Sequence, residues 1–202
     1  MLNLFVGTYI TLFFLLTPFF VVSSFLSLTS EMDSRRRRRV AFRTIITVIL
    51  MTLILYLFGS KIFVVLGITI DSFRIGGGTL LFLSAVALVK GNAEQRQVAE
   101  GEDVAIVPLA LPITVGPGTT AALLVLGAEV AGEYGHSMRS QLTAIGAMLA
   151  AVLTVCAMIW ASAVMDRFIP QRIMGILSKL TGLILASLSA QLIFTGIRNF
   201  MK

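Results

Sequence analysis

The sequence predicts an all-α membrane protein that crosses the bilayer six times, and two observations lead to this prediction. Hydrophobic residues make up 57% of the 202 residues and charged residues 13%, whereas soluble domains have about 25% charged residues. The 16 Lys and Arg residues stand between long uncharged stretches, so the formal charge of +6 does not indicate a nucleic-acid-binding protein. The uncharged stretches are residues 1–30, 44–60, 75–89, 104–128, 140–165 and 180–197.

Helices are the expected form of all six stretches. About 20 helical residues span a bilayer core. Lipid offers the backbone no hydrogen-bond partners, and the stretches lack the alternating pattern of barrel strands. The first stretch has no positive residue ahead of its apolar core and is too long for a signal peptide, so we expect a retained helix.

The basic residues predict the orientation of the chain. The run from Arg35 to Arg39, together with Arg43, forms the densest basic cluster, and Lys and Arg in short loops favour the cytoplasmic side. With this cluster inside, both termini face outward. We expect the cluster to act as a topology signal that contacts anionic membrane lipid rather than nucleic acid.

An internal repeat predicts two halves of opposite orientation. The third and sixth stretches superpose at a constant offset of 105 residues, and three crossings in each half place the second half upside down. The predicted units are a first repeat at 1–91, a cytoplasmic linker at 92–103 and a second repeat at 104–202. The matching pairs are Arg74 with Lys179, Gly77 with Gly182, Leu80 with Leu185, Leu83 with Leu188, Ser84 with Ser189, Ala85 with Ala190 and Gly91 with Gly196.

Prolines predict a break in the first and in the fourth helix. Thr17 and Pro18 lie near the middle of the first stretch, and the fourth contains Pro112 and the sequence Gly-Pro-Gly-Thr-Thr at 116–120. Proline removes a backbone donor, and glycine permits non-helical geometry. Paired breaks near the bilayer centre indicate a binding site in secondary transporters.

The second break also predicts an anion site. Pro117 suits the first position of a new half-helix, whose free N–H groups at Gly118, Thr119 and Thr120 would face a substrate carboxylate. A kink that only shapes packing is the alternative interpretation of each break. The residues of the predicted substrate site are Thr17, Pro18, Pro112, Gly116, Pro117, Gly118, Thr119, Thr120 and Gln191.

Other polar and small residues have simpler interpretations. Asp71 and Arg74 lie one helical turn apart at the outer end of the third span, just before residue 75, and we expect an interface anchor there rather than a gate or a substrate contact. The glycines at 76–78 and Gly182 predict close helix approach. Gln191 is the lone amide of the sixth stretch and would line a cavity or bond to a neighbouring helix.

At these residues the chain resembles the MarC family of six-helix inner-membrane proteins, a family also described as neutral amino-acid transporters. The matching segments are Gly-Ile-Thr-Ile-Asp-Ser-Phe-Arg-Ile-Gly-Gly-Gly at 67–78, Val-Pro-Leu-Ala-Leu-Pro-Ile-Thr-Val-Gly-Pro-Gly-Thr at 107–119 and Leu-Thr-Gly-Leu-Ile-Leu at 180–185. The similarity covers essentially the whole chain. The resemblance implies a three-plus-three inverted organisation and a bacterial or archaeal inner membrane.

The chain departs from the family at the first break. Members of the family often have Asp or Asn before the first-span proline, where this chain has Thr17. None of the six uncharged stretches contains Asp or Glu, so a proton relay through a buried acid has no candidate. Coupling to an ion would use hydroxyls and backbone carbonyls, which suits sodium, and the sequence leaves sodium coupling open.

A transporter of small solutes is the leading functional hypothesis, with neutral amino acids or similar metabolites carried by alternating access. The alternatives are a non-transporting membrane module that assembles with a protein partner, and a drug or metabolite exporter. The sequence contains no His-Glu-x-x-His zinc motif and no Gly-x-Ser-x-Gly elbow, so we expect no enzyme activity, no catalytic or metal-binding residue and no cofactor. Expected partners are a small-molecule substrate and membrane lipids, and homo-oligomer formation stays open.

Overall fold

The computed structural model of the protein describes residues 2–91, 117–133, 138–165 and 171–201, and these residues form seven helices without a strand. The helices are α1 (Leu2–Leu15), α2 (Pro18–Leu28), α3 (Ser34–Leu66), α4 (Ile70–Lys90), α5 (Pro117–Glu133), α6 (Met138–Val164) and α7 (Gln171–Phe200). The predicted all-α class is confirmed for the described residues.

Five segments of the described residues are long and apolar enough to cross a membrane. These segments are Leu2–Leu28, Ser34–Tyr56, Ile70–Lys90, Arg139–Val164 and Arg172–Phe200, and a shorter apolar helix lies at Gly118–Gly127. They confirm a multi-pass membrane protein. The predicted linker at 92–103, and with it Pro112 and Gly116, lies outside the described residues.

The helix α3 is longer than the sequence predicts. The uncharged stretch begins at Thr44, but the helix begins at Ser34 and continues for 33 residues, which is about 50 Å. The arginine run 35–39 therefore occupies the first turns of a helix rather than a loop. Arginine is a good helix former, so the basic sequence extends the helix beyond its apolar part.

Arg37 has a different role from its neighbours in this run. Its side chain is 8% exposed, whereas the other four arginines of the run are exposed. The Nε and Nη2 atoms of Arg37 donate to the carbonyl oxygen of Thr29, at 3.4 and 3.3 Å. Thr29 is the C-cap of α2, where a cation satisfies free carbonyls and opposes the helix dipole. The expectation that the whole run contacts lipid is therefore wrong for Arg37.

The helices α4 and α7 pack closely in antiparallel orientation. A Cβ added to Gly196 would lie 2.7 Å from the carbonyl oxygen of Asp71, and one added to Gly182 would lie 2.9 Å from that of Ala85. Small residues at these positions allow the two backbones to approach. The predicted role in helix approach is confirmed for Gly77, Gly78 and Gly182, and it is wrong for Gly76, which has no atom within 4 Å of an added Cβ.

The helix α1 is held against α6 inside the bundle. The hydroxyls of Tyr9 and Thr154 lie 3.1 Å apart, and Thr154 donates to the carbonyl of Ala150. Because the Thr154 hydroxyl has one hydrogen, Tyr9 is the donor of this interhelical bond. The surrounding buried side chains include Leu12, Leu16, Val21, Phe25, Leu81, Leu123, Met148, Val155, Ile159 and Leu185.

Candidate functional site

The break in the first span lies between α1 and α2. Thr17 has φ 46° and ψ 54°, and among the described residues it is the one non-glycine residue with positive φ. Its N–H donates to the carbonyl of Phe14 at 3.0 Å, which tightens the last turn of α1. Pro18 then occupies the start of α2, where its missing donor and fixed φ are tolerated. The predicted break at Thr17 and Pro18 is present.

The side chain of Thr17 is buried without a hydrogen bond. It is 6% exposed, and its Oγ1 has no partner in the described part of the chain. A left-handed conformation costs a branched residue about 1–2 kcal/mol, and an unsatisfied buried hydroxyl costs about 1–3 kcal/mol. Strain and an unused polar group therefore coincide at one residue, which is typical of functional positions.

The helix α5 begins at Pro117, and its first turn meets the end of α1. Thr119 is 7% exposed, and its Oγ1 donates to the carbonyl oxygen of Leu15 at 3.1 Å. Leu15 is the last residue of α1, so the break removes the partner that its carbonyl would have in a continuous helix. Thr119 supplies this donor. The start of α5 and the break in the first span are therefore in direct contact.

Gly118 packs the start of α5 against the backbone of α4. A Cβ added to Gly118 would lie 2.6 Å from the Cα of Leu81 and 2.8 Å from its N atom. Gly77 faces α5 from the other side of this contact and meets the Cβ of Ala121. Because a larger residue at 118 would displace the helix, substitution there changes packing whether or not a ligand binds nearby.

A cavity of about 370 Å³ lies beside the contact between α1 and α5. We call it the Arg74 cavity. Residues of α1, α4, α5 and α7 line it, with Leu15 and Leu81 beside the helix break and Arg74 and Arg198 at the end of the bundle. Gln191 is the member of the predicted site that lies on its wall. Cavities of about 300–1,000 Å³ are typical of small-molecule sites.

Positive charge dominates the Arg74 cavity. Arg74 forms an ion pair with Asp71, and Asn199 Nδ2 donates to the same carboxylate oxygen at 3.3 Å. The predicted pair of Asp71 and Arg74 is thus confirmed, and Asn199 links it to α7. Arg198 also lines the cavity and has no ion pair with a described residue. One cation of the cavity is therefore neutralised and one is available to a ligand.

A second cavity, of about 380 Å³, lies at the opposite end of α4 and α7. We call it the Lys179 cavity. Ser23 and Ser24 of α2 line it together with Ser178 and Lys179 of α7. Gly91, which ends α4 with φ 75°, completes the wall. The two cavities flank the helix break, one toward each end of the bundle.

Sequence reasoning selected Gln191 and missed the polar residues of the Lys179 cavity. Gly118, Thr119 and Thr120 line neither cavity. Gly118 packs against Leu81 of α4, and Thr119 bonds to Leu15 of α1. The signal that could have found the second cavity is the predicted repeat. It pairs Arg74 with Lys179, and each of these cations lines one cavity.

Comparisons with known proteins extend over the whole chain. The family described as MarC family integral membrane protein matches residues 2–201. A UPF0056 membrane protein of Methanocaldococcus jannaschii is 33% identical over 205 residues, which cover 98% of each chain. The UPF0056 inner membrane protein YhgN of Escherichia coli is 28% identical over 203 residues, which cover 100% of each chain. No solved structure matches the chain.

Proposed function

Because this chain belongs to the MarC family of integral membrane proteins, we propose that it transports small solutes across the cytoplasmic membrane. The solutes are neutral amino acids or similar compact metabolites. They bind near the bilayer centre, between the break at Thr17 and the start of α5, and cross by alternating access. In this proposal the protein catalyses no chemical step and holds no resident cofactor.

One observation supports the proposal above the others. The Thr119 hydroxyl bonds to the Leu15 carbonyl at 3.1 Å, and a cavity lies on each side of this contact. A transporter that alternates needs a vestibule toward each membrane face and a closed layer between them. The two cavities provide the vestibules, and the contact between the helix ends provides the closed layer.

An inverted repeat is part of the proposal, with three crossings in 1–91 and three in 104–202. Two contacts related by the offset of 105 residues support it. An added Cβ on Gly196 would lie 3.1 Å from the Cβ of Arg74, and one on Gly91 would lie 3.9 Å from the Cε of Lys179. Exchange of the repeats converts one pair into the other. Both basic residues therefore hold equivalent positions in the antiparallel pair of α4 and α7.

The proposed orientation places the arginine run on the cytoplasmic side and both termini outside. The exposed members of the run lie at the start of α3, where they reach anionic headgroups beyond the apolar part of the helix. The Lys179 cavity then faces the cytoplasm and the Arg74 cavity faces outward. Sodium is the proposed candidate for ion coupling, through hydroxyls and free carbonyls at the helix break.

Ligand binding and flux measurements test the proposal together. Thermal unfolding of the detergent-purified protein against the neutral amino acids, with and without sodium, should show stabilisation by a few of them, since a ligand that binds the folded state raises its melting point. The active amino acids should then enter proteoliposomes that contain the protein. Stabilisation and flux by none of these amino acids would contradict the proposal.

A variant of Gln191 tests whether the Arg74 cavity belongs to the route. Gln191→Leu removes an amide from the wall, and we expect the KM for flux to rise about tenfold. Ser187→Ala is the matched control, because Ser187 is exposed on the same helix and donates to the carbonyl of Leu183 in that helix. Equal KM values for the two variants would exclude Gln191 from the substrate site.

A further inference from the structure

One residue of the Lys179 cavity wall has a buried hydroxyl that no described residue hydrogen-bonds. Ser24 is 0% exposed, and its Oγ has no hydrogen-bond partner in the described residues. Hydroxyls of other helices donate to their own backbone, as Ser84 does to Leu80 and Ser178 to Met174. Ser24 does not, although α2 offers it the same kind of carbonyl. A buried polar group without a protein partner, on the wall of a cavity, is placed to bond to a ligand.

The charge of the same cavity defines the kind of ligand. Lys179 is exposed and forms no ion pair within the part of the chain that the structure describes. None of the described residues that line the cavity is acidic. Ser23 and Ser178 add hydroxyls beside the ammonium group. The cavity has a volume of about 380 Å³, and its wall combines one cation with several hydroxyls. This combination suits the carboxylate of a compact solute.

We propose that the Lys179 cavity is a binding site for small carboxylates, in which Lys179 pairs with the carboxylate and Ser24 hydrogen-bonds to the same solute. The inference rests on the proposed function for the choice of amino acids as solutes. Its central test needs no transport, so the two proposals fail separately. A phospholipid headgroup offers the same negative charge and is distinguished by the lipid composition of the test vesicles.

Charge-selective thiol labelling tests the electrostatic part. Ser23→Cys is introduced together with Cys156→Ala, which removes the native thiol. The thiol is treated with an anionic and with a cationic methanethiosulfonate reagent in vesicles of phosphatidylcholine alone. In each reaction the thiolate attacks the reagent sulfur, and methanesulfinate leaves. Because the same thiol meets both reagents, the ratio of the two rates is independent of its own reactivity.

We expect the anionic reagent to react about tenfold faster than the cationic one, because Lys179 concentrates anions in the cavity. Lys179→Gln should abolish this preference for the anionic reagent, and Lys179→Arg should retain it. Lys90→Gln is the matched control, since Lys90 is exposed at the end of α4 but does not line the cavity. A ratio that persists in Lys179→Gln, or a folded Ser23→Cys protein that reacts with neither reagent, would overturn the proposal.

Protection experiments test the solute. L-alanine and lactate should slow labelling of the Ser23→Cys thiol, whereas L-alaninamide, which lacks the carboxylate, should not. Ser24→Ala should weaken this protection about fivefold without loss of folded protein. Protection by neither carboxylate, or protection only when anionic phospholipid is added to the vesicles, would overturn the proposal. Protection without any flux would leave this site standing and remove the proposed function.

A thiol outside the cavity controls for the charge of the membrane surface. Ser30 is exposed just after α2, near the arginine run. Ser30→Cys should also prefer the anionic reagent, but this preference should be unchanged by Lys179→Gln and by L-alanine. If L-alanine protects Ser30→Cys as well as Ser23→Cys, the protection is not specific to the cavity and the proposal fails.

Discussion

Thr119 and Leu15 are 104 residues apart in the chain, and the hydroxyl of the first donates to the carbonyl of the second at 3.1 Å. The bond joins the first turn of α5 to the last residue of α1. It satisfies a carbonyl that the break in the first span leaves without a helical partner. The stability of the break in the first span thus depends on the position of α5.

Loss of this bond should weaken the bundle at its centre. We expect Thr119→Val to lower the free energy of unfolding by about 1 kcal/mol, because the Leu15 carbonyl loses its donor while the side-chain volume is nearly kept. Unfolding in detergent measures the change. Thr79→Val is the control, since Thr79 is exposed and donates to Ile75 of its own helix. Equal losses in both variants would show that the interhelical bond contributes nothing.

The left-handed backbone at Thr17 predicts a stabilising substitution. Thr17→Asn should raise the free energy of unfolding by up to about 1 kcal/mol, because asparagine adopts positive φ more readily than a branched residue. The same change at Thr29, where φ is −107°, should give no such gain. The melting temperatures of the two variants provide the measurement. A lower melting temperature for Thr17→Asn would contradict the strain argument.

Arg37 should contribute more to the stability of the protein than Arg36 beside it. Arg37→Gln removes the guanidinium that bonds to the Thr29 carbonyl, and we expect a loss of about 2 kcal/mol. Arg36→Gln changes an exposed side chain and should stay within about 0.5 kcal/mol of the parent. Thermal unfolding separates the two variants. Similar effects would mean that the run acts through its total charge and not through the cap of α2.

The glycines of the α4 and α7 pair should respond unequally to an added methyl group. Gly182→Ala forces a Cβ to within 2.9 Å of the Ala85 carbonyl oxygen, and we expect a loss of about 1–3 kcal/mol from overpacking. Gly76→Ala meets no atom within 4 Å, and its higher helix propensity should stabilise α4 by up to about 1 kcal/mol. The two unfolding free energies check the prediction. A stable Gly182→Ala protein would show that the helices separate without cost.

Local features of the sequence anticipated the helices and their ends well. Apolar length identified the five spans found in the described residues, and Pro18 and Pro117 marked the starts of α2 and α5. Gly91 ends α4 in the left-handed conformation. These features act within one or two helical turns, because backbone geometry and solvation in lipid depend on neighbouring residues. The start of α3 was missed because the spans were identified by their lack of charge. The arginine run is charged, but it still forms the first turns of the helix.

The candidate site was anticipated only in part. The sequence predicted two interruptions and selected Gln191, which lines the Arg74 cavity. It assigned the N–H groups of Gly118 and Thr119 to a ligand, which stays a prediction. The structure adds that Gly118 packs against Leu81 and that the Thr119 hydroxyl bonds to Leu15. Sequence patterns report which residues can leave helical geometry. They do not report which helix lies opposite.

The sequence by itself determined a helical membrane protein with a break at Thr17, a helix start at Pro117 and a basic run before the second span, since apolar length, proline geometry and charge are local properties. The tertiary structure decided that the start of α5 touches the end of α1, that Arg37 is buried on the end of α2, and that the buried Ser24 hydroxyl has no partner among the described residues. The physical reason is that such contacts join residues far apart in the chain. Their identity depends on how the helices pack, and each helix offers several faces of similar composition.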